Sequence, residues 1–102
     1  ELSTRKAIQI NPNLVEAHSN LGNILKDLGR LKEAELSTRK AIQINPNFAN
    51  NHYRLSKILT EMKNFHQASL AIEKAINIDP SNHIYQGELS RINFIKEDID
   101  ET

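Results

Sequence analysis

Cysteine is absent from this 102-residue chain, so it has neither a disulfide nor a thiolate metal site to rely on. Glycine and proline number only three each, and long apolar-periodic stretches fill the space between them, which argues against disorder. The 13 basic and 13 acidic residues cancel, leaving no net charge to argue for nucleic acid or an anionic membrane as partner. No apolar run approaches the ~18 residues that a membrane-spanning helix needs. The chain lacks an initiator methionine, a basic n-region and a signal-peptide core. It opens partway through a repeat, as an excised piece of a longer protein would, and its length fits one domain.

What the chain does have is repetition. Residues 1–13 read ELSTRKAIQINPN, and residues 35–47 read the same again. The offset is 34 residues, and Pro12, Pro46 and Pro80 keep that beat. A fixed period of this size marks a solenoid, in which one unit cannot bury its own apolar face and must stack on its neighbours.

Between prolines the apolar residues recur at helical spacing in two blocks. Leu14, Leu21, Ile24, Leu25 and Leu28 share one stripe. Gly29 supplies a left-handed turn, and a second stripe follows with Leu31, Ala34, Leu36, Ala41, Ile42 and Ile44. Asn45-Pro46-Asn47 stops it, because proline biases its predecessor away from the helical region, and Asn47 is placed to cap the next helix. The plan repeats with Phe48, Tyr53, Leu55, Ile58, Leu59 and Met62, then a turn at Asn64 that offers a capping box with Gln67. Phe65, Ala68, Leu70, Ile72, Ala75, Ile76 and Ile78 make the partner stripe, closed by Asp79-Pro80-Ser81. A last helix carries Ile84, Leu89, Ile92, Phe94 and Ile95, with fraying expected after about Ile95, where acidic residues oppose the helix dipole. The reading is six helices: residues 1–14 as a lone second helix, 15–48 and 49–82 as full repeats, and 83–102 as a closing helix with an acidic tail.

The period, the paired helices and the closing proline resemble the tetratricopeptide repeat. Leu21, Gly22, Leu25, Ala34, Ala41 and Pro46 fall on its signature positions, as do Leu55, Ser56, Leu59, Ala68, Ile72, Ala75 and Pro80. The resemblance implies an all-α, right-handed superhelix of antiparallel helix pairs. His18 and His52 stand where the family often has a large aromatic, and Thr38 where a large apolar residue is usual, so looser packing is expected there. Residues 17–34 look most like the arrays fused to O-linked N-acetylglucosamine transferases, a likeness of repeat subtype that transfers no catalytic activity.

The resemblance places the first helix of each repeat on a concave wall. Its ligand-facing positions map to Ser19, Asn20, Asn23, Lys26 and Asp27, then to Asn50, Tyr53, Arg54, Lys57, Thr60 and Glu61, then to Gly87, Glu88, Arg91 and Phe94. Asn23, Lys57 and Arg91 are one repeat apart and should stack as a ladder able to hold a carboxylate. Some members of the family hold chaperone C-termini with an Asn, Lys and Arg clamp, which also has a Lys one turn earlier, where this chain carries Ser19, Tyr53 and Gly87. The same residues also read as an ordinary solvated polar wall. Asn20 matches a backbone-gripping asparagine of the transferase arrays, but its equivalents are Arg54 and Glu88, which offer an ion pair across adjacent helices instead. Tyr53, and after it Phe94, are candidate anchors or packing residues.

The four histidines lack the spacing of a metal site, and no nucleophile elbow, phosphate loop or paired-carboxylate pattern accompanies the polar residues. The sequence therefore predicts a non-enzymatic, cofactor-free and metal-free scaffold that binds a protein or peptide segment in its groove. Asn20, Asn23, Tyr53, Arg54, Lys57 and Arg91 are its expected contacts. The expected partner is neither nucleic acid nor membrane, and the expected location is cytoplasmic. Two further readings stand beside it: a spacer or self-stacking module, associating end to end through the uncapped N-terminal helix, and the substrate-presenting arm of an enzyme.

Overall fold

The computed structural model describes residues 15–27 and 29–100, and the side chains of residues 19–27 and 29–98. The lone helix expected over residues 1–14, Leu28 on the first stripe and the side chain of His18 lie outside these. Five helices follow one another: α1 Val15–Asp27, α2 Leu31–Ile44, α3 Ala49–Glu61, α4 Phe65–Ile78 and α5 His83–Asp100. The closest packing joins α1 with α2 and α3 with α4. These pairs are bridged by α2 against α3, and α4 in turn carries α5. This is the stacked helix-pair plan that the 34-residue beat requires.

The turns inside the pairs use a left-handed residue at the same repeat position. Gly29 has φ 78° and Lys63 has φ 64°, so the second turn is made by Lys63 rather than by Asn64. Asn64 does stand at the N-terminus of α4, but its side chain makes no capping bond: its backbone N–H donates to the Leu59 carbonyl at 2.9 Å and its carbonyl accepts the Ala68 N–H at 3.0 Å. The expected capping box is not formed, because the Gln67 amide oxygen instead accepts from Arg39 at 3.1 Å. Asn47 does not cap α3 either. That helix starts after Phe48, while the Asn47 N–H donates to Asn45 Oδ1 at 3.3 Å inside the proline turn. At α5 a side-chain cap does form, Asn82 Oδ1 accepting the Ile84 N–H at 2.9 Å.

Each proline turn is also tied to the helix that follows it. His52 Nε2 lies 2.7 Å from the Pro46 carbonyl oxygen, and Gln86 Nε2 lies 2.7 Å from that of Pro80. The two side chains are one repeat apart. A carbonyl oxygen can only accept, so Nε2 carries the proton of His52. Thus the histidine that departs from the family's aromatic fills its place as a buried donor.

The core is built from Leu55, Leu59, Ile72, Ala75, Tyr85 and Ile92, with a second cluster of Leu21, Leu25, Ala34 and Ile58; Met62 touches both. Each fully buried leucine or isoleucine contributes about 1.5–3 kcal/mol. Thr38 is not loosely packed: it is 1% exposed, and its hydroxyl occupies the space left by Gly22. Six residues of the expected stripes face solvent instead, Phe48 and Ile78 the least so. Leu36 and Leu70 are 60% and 50% exposed, because they lie nearly opposite Ala34 and Ala68 around their helices. Ile84 and Phe94 are exposed on α5, while Ile92 is sealed. The helix α5 continues through Asp100 rather than ending near Ile95. No glycine or proline follows Gly87, and the dipole penalty on exposed acids is only about 0.3–1 kcal/mol.

Candidate functional site

The first helices α1 and α3 enclose a groove of about 380 Å³, lined by Asn23, Lys26, Asp27, Asn50, Tyr53, Arg54, Lys57 and Ile58. Helical spacing puts Asn50, Tyr53, Arg54 and Lys57 on one face of α3, and the α1–α3 packing brings Asn23 opposite them. Four of the six expected contacts, Asn23, Tyr53, Arg54 and Lys57, therefore meet in one place. Asn20 is exposed on α1 outside this lining, and Arg91 stands on α5, beyond it.

Tyr53 is half-buried. Its ring packs on Tyr85 with centroids 5.2 Å apart and planes inclined by 39°, and Lys57 Nζ lies 5.4 Å from its centroid. A cation at this distance is attracted by the ring quadrupole. Burial is the main cause that raises the Tyr85 pKa, with Asp79 and Tyr53 adding to it against Arg54. Tyr85 thus stays a neutral phenol. Lys26 bridges α1 to α3 through Glu61 at 3.5 Å and also reaches Asp27 at 3.8 Å. Among the described residues, Arg54 and Lys57 form no ion pair.

The expected Arg54–Glu88 pair is not made. Glu88 turns along its own helix to Arg91, accepting from Nη2 at 2.7 Å and from Nε at 3.3 Å. This hydrogen bond is the main cause that raises the Arg91 pKa, against burial. The third rung of the Asn23–Lys57–Arg91 ladder is thus occupied by an internal carboxylate. Two other expected ligand-facing residues are buried. Ser19 donates to Asn51 Oδ1 at 2.5 Å, and Thr60 donates to the Ser56 carbonyl at 2.7 Å. Tyr85 was not legible as a groove support, although it stands one repeat after the buried Asn51 and could have been sought there.

No three His, Asp or Glu side chains among the described residues converge as a metal site, and none of the described helices is long and apolar enough to cross a membrane. A larger cavity, about 480 Å³, opens on the opposite face of α3, away from these residues.

Solved structures share this architecture. The first TPR of Spaghetti, bound to the HSP90 peptide SRMEEVD, superposes with a TM-score of 0.88 at 17% identity, over 92% of this chain and 75% of that one. YrrB, described as a TPR protein with an unusual peptide-binding site, gives 0.84 at 21% identity, over 92% of this chain and 48% of that one. MamA from Desulfovibrio magneticus RS-1 gives 0.86 at 23%, over 93% and 54%. The chain thus spans about half the length of the latter two. No curated protein sequence matches it. Models of the tetratricopeptide repeat match residues 15–48 and 49–82, two-thirds of the sequence, and the chain belongs to the tetratricopeptide repeat family.

Proposed function

We propose that the chain is a non-catalytic protein-interaction module that holds a peptide or protein segment in the groove between α1 and α3. The observation that carries this reading is the convergence of Arg54 and Lys57, both without ion pairs among the described residues, beside the half-buried Tyr53 and the amides of Asn23 and Asn50. The cations suit a carboxylate, the amides suit a peptide backbone, and the ring offers a flat apolar contact. In this reading Asn20 and Arg91, outside the groove lining, are further contacts for a longer segment, Arg91 serving once Glu88 is displaced. The peptide SRMEEVD bound to the Spaghetti domain is of this kind, with acidic side chains on an extended backbone able to meet cations and amides.

Calorimetric titration with SRMEEVD tests the reading. Wild type should bind, and a Lys57→Ala, Arg54→Ala double variant of unchanged helicity should bind at least tenfold more weakly. Equal affinity in both would reject these residues as the site.

A further inference from the structure

The larger cavity lies half a turn around α3 from the groove: His52, Leu55 and Leu59 face it, where Asn50, Tyr53 and Lys57 face away. Its floor is apolar, formed by Ile42 of α2, Leu55 and Leu59 of α3, and Ala71 of α4. Its rim carries Arg39 and Gln43 on one side and Gln67, Leu70 and Lys74 on the other. Ala71 presents only a methyl group to this floor, while Leu70 leaves half of its surface in water. At about 480 Å³ it is of ligand-pocket size.

Two observations say what would fill it. The first is charge. No carboxylate lines the cavity, in a chain whose acids and bases are equal in number. Arg39 is already held by Glu35 at 2.9 Å. Lys74 makes no ion pair among the described residues and is the cation that an incoming carboxylate would meet. The amide groups of Gln43 and Gln67 suit an extended backbone.

The second is repetition. Every lining position except Gln67 and Ala71 carries the same residue 34 positions earlier. Packing accounts for the sealed positions Leu55 and Leu59. It does not account for Leu36 and Leu70, which are largely in solvent and nevertheless recur, as do Lys40 and Lys74. The α1–α3 groove behaves differently: 34 positions before Asn50, Tyr53, Arg54 and Lys57 stand Glu16, Ser19, Asn20 and Asn23.

We infer that this second groove binds an extended acidic segment of a partner protein, seating an aliphatic side chain over Ile42, Leu55 and Ala71 with a neighbouring carboxylate on Lys74. It is independent of the α1–α3 groove, and the two sites face opposite ways.

The blocked peptide acetyl-DLELDL-amide, which has no free terminal carboxylate, is titrated into isotope-labelled protein and followed by amide chemical shifts. The inference predicts shifts at Ile42, Leu70, Ala71 and Lys74. It predicts weakening on the order of tenfold in Lys74→Glu and in Leu70→Ser. Both changes fall on exposed positions and leave the core intact. A Lys57→Ala variant should bind as wild type does, and acetyl-KLKLKL-amide should not bind. Shifts confined to Asn23, Tyr53 and Lys57 would overturn the inference. So would equal binding by the Lys74 and Leu70 variants, equal binding of the basic peptide, or no shift at millimolar peptide.

Discussion

The hydroxyl oxygen of Thr38 stands 2.5 Å from the point where a β-carbon on Gly22 would be. Two helices meet there because one has no side chain and the other has a small one. In the next repeat the same two positions hold Ser56 and Ile72, both fully buried and both larger, so the close approach of glycine and threonine belongs to the first pair alone among the described repeats. Gly22→Ala should therefore destabilise the fold by about 1–2 kcal/mol, overpacking outweighing the gain in helix propensity. Adding Thr38→Ala should recover most of the loss. Urea midpoints of the two single variants and the double variant check this, and simple additivity would contradict it.

Lys63 occupies a left-handed conformation that Gly29 adopts in the preceding repeat. A lysine is strained there and a glycine is not. After allowing for the greater chain entropy of glycine, Lys63→Gly should raise stability by about 0.5–1 kcal/mol, and Gly29→Ala should lower it by a similar amount. Thermal melts of both variants read the two signs directly.

Glu35 is 8% exposed. Burial, the largest influence, raises its pKa, but hydrogen bonds and charges from Arg39 and Lys32 outweigh it, and the net shift is downward. A depressed carboxyl stabilises the fold above its unfolded pKa and loses that contribution as pH falls through the folded value. The stability advantage of wild type over Glu35→Gln should thus be constant above about pH 5, and shrink progressively below about pH 4. Denaturant titrations across that range test it, and an advantage that grows on acidification would contradict the sign.

The exact repeat and its prolines made the helix pairs legible, since a 34-residue beat with two apolar stripes admits little else. The shared face of α3 was legible too: helical spacing groups Asn50, Tyr53, Arg54 and Lys57, while their placing on a concave wall came from the family resemblance. What escaped depended on rotamers and close approach. Leu36 and Leu70 count as apolar in any pattern, yet only the angular position around the helix shows that they face water. Glu88 had two basic partners within reach, and the choice of Arg91 over Arg54 is decided by side-chain geometry along one helix. Tyr85 is buried through its contact with Tyr53, which no local pattern announces.

The Glu88–Arg91 pair gives the groove reading a further consequence. A ligand carboxylate that reaches Arg91 must displace Glu88. Glu88→Gln removes that competition while keeping the shape, and affinity for SRMEEVD should rise roughly two- to fivefold, the effect of about 0.5–1 kcal/mol. Calorimetry on the variant reads it, and weaker binding would mean that Glu88 supports the ligand rather than competing with it.

The most direct measurement of the central claim is a chemical-shift map of the labelled protein with SRMEEVD. Saturable shifts centred on Asn23, Asn50, Tyr53, Arg54 and Lys57 are the predicted result. Shifts that instead centre on Leu70, Ala71 and Lys74, or no saturable shifts at all, would contradict the assignment of the α1–α3 groove as the peptide site.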